Sequence, residues 1–401
     1  MKKILYTILS LFLVFTFSFA PYSFATSFIW SEDTFTTSAA PDSTNLNLES
    51  ASCILIEQTS GKILYEKNCH EQLRPASVTK VMTILLIMEA LDSGKISLTD
   101  KVPCSENASK MGGSQIWLDV REELTVDEML KAICVVSAND CTVAMAEFLA
   151  GSTEAFVDKM NTRAKELGMN DTCFKNCHGL DEDGHLTSSY DISLMSRELL
   201  QNHPSITKYT TIWMDSLRDG KSTLTNTNKL IRNYKGATGL KTGSTGLALY
   251  NLSSSATRDN LSLIAIIMKA PSTKIRFEEA QKLLDYGFNN YSYAQFAKKD
   301  SILKSINVSK GVLSSVNMVY ENDSGCLLEK GKDKNIEQVL NIPECVSAPI
   351  VKGQKLGDIT YFLDGEAIAS TNLVADKDVK KVNLSNMFEF LFFSWFRLLR
   401  V

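Results

Sequence analysis

The 401-residue sequence is poor in several features that would narrow its function. It has no basic excess: 42 Lys and Arg stand against 46 Asp and Glu, a net charge of −4. Nothing in that balance points to nucleic acid. Nine cysteines are too sparse for a disulfide scaffold, and their odd count leaves at least one thiol unpaired within a monomer. The four histidines show no context for a Ser-His-Asp set. No internal repeat is evident. Apolar residues at 44% and charged residues at 22% are ordinary for a globular chain. They exclude a mostly disordered, collagen-like or polytopic membrane protein. At typical domain sizes the length suits two domains, or three.

The N-terminus reads as a bacterial-type export signal. Lys2 and Lys3 precede an uncharged run from Ile4 to Ala20, and Ser23 and Ala25 are spaced like the small residues of a cleavage site. Residues 1–25 are therefore expected to be a signal peptide. Residues 26–49, rich in Ser, Thr, Asn and Asp, read as a flexible leader. At the other end, Leu384, Met387, Phe388, Leu391, Phe392, Trp395, Leu398 and Leu399 share one helical face, with Arg397 and Arg400 off it. The segment is short and charged for a membrane span. It fits an amphipathic helix, 381–401, lying in the membrane interface, with Lys377, Lys380 and Lys381 favouring an anionic surface.

Between these ends the pattern is mixed. Two strands are expected between Ala51 and Lys67, joined at Thr59-Ser60-Gly61. Helices are expected over 77–93, 126–150, 153–167, 189–202 and 275–287, and strands over 239–243, 247–256 and 261–269. Strands at both ends of a helical middle predict an α+β domain, an antiparallel sheet sandwiched by helices, over residues 50–292. From 293 to 380 short alternating runs such as Val316–Tyr320 and Ile359–Leu363, separated by Lys352-Gly353 and Asp364-Gly365, predict a small β-rich domain.

Three short motifs gain meaning together. Ser77-Val78-Thr79-Lys80 follows Arg74-Pro75-Ala76 and opens an apolar helix. A serine at that position lies near the positive end of the helix dipole, and Lys80, one turn along, can reach its hydroxyl. A lysine acts as a base only when neutral, so burial or a second cation must lower its pKa; Lys241 is the candidate cation. Ser137-Ala138-Asn139 interrupts a helical run, as a loop pointing into a cleft would. Lys241-Thr242-Gly243 begins an expected strand whose backbone can pair with an extended peptide. The amides of Ser77 and Ser244 could then form an oxyanion hole.

With these residues in this order, the chain resembles the D-alanyl-D-alanine carboxypeptidases, the low-molecular-weight penicillin-binding proteins. The likeness spans about residues 50–290. It includes Gly112-Gly113-Ser114, His178-Gly179-Leu180-Asp181, Thr225-Asn226-Thr227-Asn228 and Lys274-Ile275-Arg276-Phe277. The resemblance implies a β-lactamase/transpeptidase-like fold, no cofactor and no metal. It implies an exported enzyme at the outer face of the cell membrane, held there by the C-terminal helix. Its substrates would be peptidoglycan stem peptides and its covalent inhibitors β-lactams. By the same resemblance Ser77 is the nucleophile, Lys80 its base and Ser137 a proton relay. Asn139 holds the substrate amide, Gly243 and Ser244 line the binding strand, and Lys241, Thr242 and Arg276 hold the terminal carboxylate. Two departures stand out: Leu249 replaces a usual glycine, and Cys177 a usual proline.

Three other readings compete. Glu166 to Asn170 superficially offers the Glu-x-x-x-Asn of a class A β-lactamase. Cys173, Cys177, His178 and His185 could be a zinc set, though their spacing is not a standard one. Cys134 and Cys141, seven apart, could be bridged. A catalytically idle wall-binding protein is the third, with the intact motifs against it.

Overall fold

The computed structural model describes residues 46–332, 335–383 and 387. The signal peptide, most of the leader and nearly all of the C-terminal amphipathic segment lie outside the described residues. Among the described residues no helix is long and apolar enough to cross a membrane.

The sheet that organises the first domain joins the two ends of its sequence. Strands β1 (Ser52–Glu57) and β2 (Ile63–Lys67) come early. The main helices follow: α1 (Lys80–Asp92), α2 (Val126–Val136), α3 (Asn139–Ala150), α4 (Thr153–Glu166) and α5 (Ser189–Asn202). Then come β3 (Ala237–Thr245), β4 (Leu249–Arg258), β5 (Leu261–Ala270) and α6 (Thr273–Asn290). The five strands run β2-β1-β5-β4-β3, each antiparallel to its neighbour. The expected α+β sandwich is observed.

Period-two alternation decides the two faces. Ile54, Ile56, Ile264, Ile266 and Met268 face a helical core built with Val81, Met82, Ile192 and Leu199. Cys53, Leu55, Leu263, Ala265 and Ile267 face α6 through Leu283, Leu284 and Phe288. Strands covered on both sides read as unbroken apolar runs, which is why β1 and β5 were legible.

Helix ends follow their capping residues. Thr125 and Glu128 close a capping box on α2, and Ser152, Ser188 and Ser272 cap α4, α5 and α6. The expected helix 126–150 is two helices, broken at Ser137-Ala138. Lys241-Thr242-Gly243 lies mid-strand rather than at a strand start. Two short strand pairs were not expected: Lys101–Pro103 with Glu123–Thr125, and the hairpin Met214–Leu217 with Ser222–Thr225.

Beyond α6 strands dominate the described residues. Tyr291–Ala297 pairs with Ser324–Glu329, and a six-stranded sheet follows around Val316, Met318, Ile359, Tyr361 and Leu373.

Candidate active site

The cleft forms where α1, the α2–α3 break and β3 converge. Ala76–Thr79 make one 3-10 turn leading into α1. Ser77 is half-buried, and Lys80 is wholly buried. The Lys80 ammonium donates three hydrogen bonds: to Ser77 Oγ at 3.1 Å, Asn139 Oδ1 at 2.6 Å and the His178 carbonyl at 2.7 Å. Burial, and then the nearby Lys241, hold its pKa well below the ordinary lysine value.

Ser137 ends α2 in the left-handed region, φ +65°. Its buried hydroxyl has no hydrogen-bond partner among the described residues. The turn starts α3 at Asn139, whose Nδ2 donates to the Gly112 carbonyl at 2.6 Å while its amide donates to Ser114 O at 2.7 Å. Asp140, also buried, accepts from the amides of Ile116 and Leu118, each at 3.1 Å. Two consecutive residues of α3 thus brace the 112–118 segment.

Lys241 is 1% exposed and donates to Thr242 O at 2.9 Å. Burial lowers its pKa to about 7, with Cys134 opposing and Arg276 reinforcing the shift. Thr242 Oγ1 donates to Thr227 Oγ1 at 2.7 Å. At Gly243 a Cβ would sit 2.8 Å from Pro75 O and 2.9 Å from Ser77 N, so only glycine lets β3 lie this close to the serine turn. Ser244 follows, exposed. Arg276, in the first turns of α6, donates to the carbonyls of Gly243 and Asn251, both at 3.2 Å. It stacks near Phe277 and Tyr250, and its buried Nε has no partner among the described residues.

The structure therefore links Ser77, Lys80 and Asn139 by hydrogen bonds, sets Gly243 against the serine turn with Arg276 bonded to its carbonyl, and places Lys241, beside Thr242 on β3, near enough to Lys80 to lower its pKa; Ser137 lies at the helix break beside Asn139. Sequence reasoning missed the His178 carbonyl, Thr227 and the bracing Asp140. The first is a backbone atom and leaves no side-chain signal. Thr227 stood inside a recognised motif without an assigned role, and Asp140 directly follows one.

The rival sites dissolve on geometry. Glu166 closes α4 on the surface, paired with Arg163, which also holds Glu89 and Glu198. The His185 ring is engaged at both nitrogens, by Thr79 and by the Lys175 amide, and His178 Nδ1 accepts from the Leu180 amide. No metal-binding group of His, Cys, Asp or Glu occurs among the described residues. All nine cysteines, Cys134 and Cys141 included, are free thiols.

A family model for D-alanyl-D-alanine carboxypeptidase matches residues 35–272, and one for the penicillin-binding protein 5 C-terminal domain matches 291–381. D-alanyl-D-alanine carboxypeptidase DacF of Bacillus subtilis is 45% identical over 95% of this chain and 95% of its own. DacC of Escherichia coli is 32% identical over 92% and 90%. Penicillin-binding protein 5 from Haemophilus influenzae superposes with a TM-score of 0.66 at 32% identity, covering 83% of this chain and 98% of that one. Penicillin-binding protein D2 from Listeria monocytogenes, solved with ampicillin bound, gives 0.56 at 30% identity, over 61% and 99%. Matched in its cleft domain, in its β-rich domain and nearly end to end by curated relatives, the chain belongs to the D-alanyl-D-alanine carboxypeptidases, the low-molecular-weight penicillin-binding proteins.

Proposed function

We propose that this chain removes the terminal D-alanine from peptidoglycan stem pentapeptides through an ester on Ser77. The observation that carries this reading is the environment of Lys80 Nζ. Its three partners are one hydroxyl and two carbonyl-type oxygens. A neutral amine has two N–H donors and one lone pair. It can keep both carbonyl bonds and turn its lone pair to the Ser77 hydroxyl, which makes it a positioned base.

Ser77 Oγ then attacks the penultimate D-alanine carbonyl as its proton passes to Lys80. The amides of Ser77 and Ser244 receive the oxyanion. The C–N bond breaks, and Ser137 passes the proton to the departing D-alanine nitrogen. Water cleaves the ester and restores the hydroxyl. Asn139 holds the substrate amide, and Lys241, Thr242 and Arg276 hold the terminal carboxylate. A β-lactam enters the same path, because its strained amide mimics D-Ala-D-Ala, and leaves a slowly hydrolysed ester.

In this reading residues 50–292 are the enzyme, 293–380 a β-rich stalk or binding module, and 381–401 an anchor on the outer face of the membrane. Intact-protein mass spectrometry with penicillin, beside Ser77→Ala, tests the site, and D-alanine release from a diacyl-D-Ala-D-Ala peptide tests the reaction. One adduct, lost in the variant, with release of D-alanine is the expected result. No adduct sinks the proposal, and an adduct without release replaces hydrolysis by transpeptidation or sensing.

A further inference from the structure

Behind the serine lies a hydrogen-bonded chain that the reaction above does not use. The Thr79 hydroxyl, fully buried, donates to the Ala76 carbonyl at 2.8 Å and lies 2.8 Å from His185 Nε2. The far side of the ring settles the direction. The Lys175 amide donates to His185 Nδ1 at 2.9 Å, so Nδ1 carries the lone pair and Nε2 the proton. Thr79 has one proton, and it goes to Ala76. Burial, with Arg74 and Lys175 nearby, lowers the imidazole pKa to about 4, against a smaller opposing pull from Asp181, so the ring stays neutral near pH 7. The chain runs one way: Lys175 N–H to His185, His185 to Thr79, Thr79 to the Ala76 carbonyl.

That carbonyl belongs to the Ala76–Ser77 peptide unit. The unit is planar, so the direction of its C=O fixes the direction of the Ser77 N–H. Ala76 sits at φ +49°, a conformation that a residue with a Cβ adopts only at a cost. Something must hold it there. Gly179 packs onto the same unit: a Cβ at Gly179 would lie 1.9 Å from Ala76 O and 2.9 Å from Ser77 N. A hydrogen bond at the carbonyl also polarises the unit and strengthens its N–H as a donor.

We propose that His185 and Thr79 are positioning residues, a one-way hydrogen-bond relay that aims and strengthens the Ser77 amide as an oxyanion donor. The inference rests on the reading that this amide receives the oxyanion. Neither residue touches substrate.

The test uses the full chain and compares Thr79→Val, Thr79→Ser, His185→Phe, His185→Gln and the Val/Phe double variant. Three quantities are read: the penicillin acylation rate, the affinity of a peptide boronic acid whose tetrahedral adduct places an oxygen in the same hole, and KM for the peptide. Deleting an oxyanion donor outright costs roughly 10²–10³ in rate, so misaiming one is expected to cost about tenfold. Thr79→Val and His185→Phe should slow acylation about tenfold and weaken the boronic acid by a similar factor, with KM within about twofold. The double variant should be no slower than the slower single one, because both cut one chain. Thr79→Ser and His185→Gln keep a donor and should restore most of the rate. Wild-type acylation in Thr79→Val overturns the relay. So do effects that multiply in the double variant, or equal losses in KM and boronic-acid affinity. Thr79→Val exchanges one oxygen for a methyl group and carries the test if His185→Phe fails to fold. A wild-type chain that forms no Ser77 adduct sinks the underlying reading instead.

Discussion

Replacing Lys241 by Met should make the protein more stable while it disables the site, and the gain should depend on pH. Lys241 is 1% exposed and, among the described residues, its ammonium has one hydrogen-bond acceptor, the Thr242 carbonyl. Its pKa falls from 10.5 to about 7. A displacement of roughly three and a half pH units corresponds to a gap of about 4–5 kcal/mol at most. The sign follows from proton counting. Between about pH 7 and 10.5 the unfolded chain holds a proton on Lys241 that the folded chain has released. Over that window the wild type therefore gains stability, relative to Lys241→Met, as pH rises. Below pH 7 both states hold the proton and the gap stands at its full value; above about 10.5 it vanishes. Urea unfolding at pH 6 and pH 9 checks this, with the gap at pH 9 expected to be less than half that at pH 6. A second readout comes from Lys80, since Lys241 is the next largest cause of its lowered pKa after burial. The acid limb of the acylation profile should move to higher pH in the variant, whatever the residual rate. A gap equal at both pH values, or a variant less stable throughout, would refute the reasoning.

Three further outcomes are expected. Gly179→Ala puts a methyl carbon 1.9 Å from the Ala76 oxygen; it should abolish the penicillin adduct and lower the melting temperature, and adduct formation at the wild-type rate would contradict the packing. Leu249 sits at φ +55°, so Leu249→Ile, which adds β-branching, should cost about 1 kcal/mol or more in urea unfolding; unchanged stability would mean the turn is not held left-handed. Ile359→Ala empties a fully buried position in the β-rich domain and should cost that domain about 2–5 kcal/mol, with Ser77 acylation of the folded protein unchanged; slower acylation would show that the two domains are coupled.

How much of this was legible in the sequence depended on how local each interaction is. Ser77 and Lys80 lie one helical turn apart, and that spacing alone brings amine to hydroxyl. Strands of nine or ten residues, such as β3 and β5, showed their character through length and burial. The strand pairs at 101–125 and 214–225, with strands of three and four residues, are too short for any period to register. Within the site, several contacts that escaped end on backbone: His178 O on Lys80, Gly112 O on Asn139 and Ala76 O on Thr79. A carbonyl is present at every residue, so nothing in the amino-acid type marks the one that matters.

The distribution of backbone strain argues that these contacts maintain the site. Many non-glycine residues with positive φ are Asn or Asp, which tolerate that region: Asp259 and Asn260 in the β4–β5 turn, Asp300 and Asp364 in the β-rich domain. Ala76, Ser137, Leu249 and Trp117 have no such tolerance, nor do Arg121, Arg218, Lys269 and Lys310; of these, Ala76 immediately precedes Ser77 and Ser137 is itself a site residue. Each of three is held by identifiable neighbours. Ala76 is held by Thr79 and the close approach of Gly179, and Ser137 by its place at the end of α2, its amide bonded to Ala132 O. Trp117 is held by Asp140 on the amides either side of it and by Arg218 on its own carbonyl. Strain of this kind persists only where the surroundings over-determine it. A fold selected for stability alone would relax these residues and neutralise its buried lysines. The strain at Ala76 and Ser137 and the burial of Lys80 and Lys241 fall within one site, which fits a geometry kept for chemistry at the expense of stability.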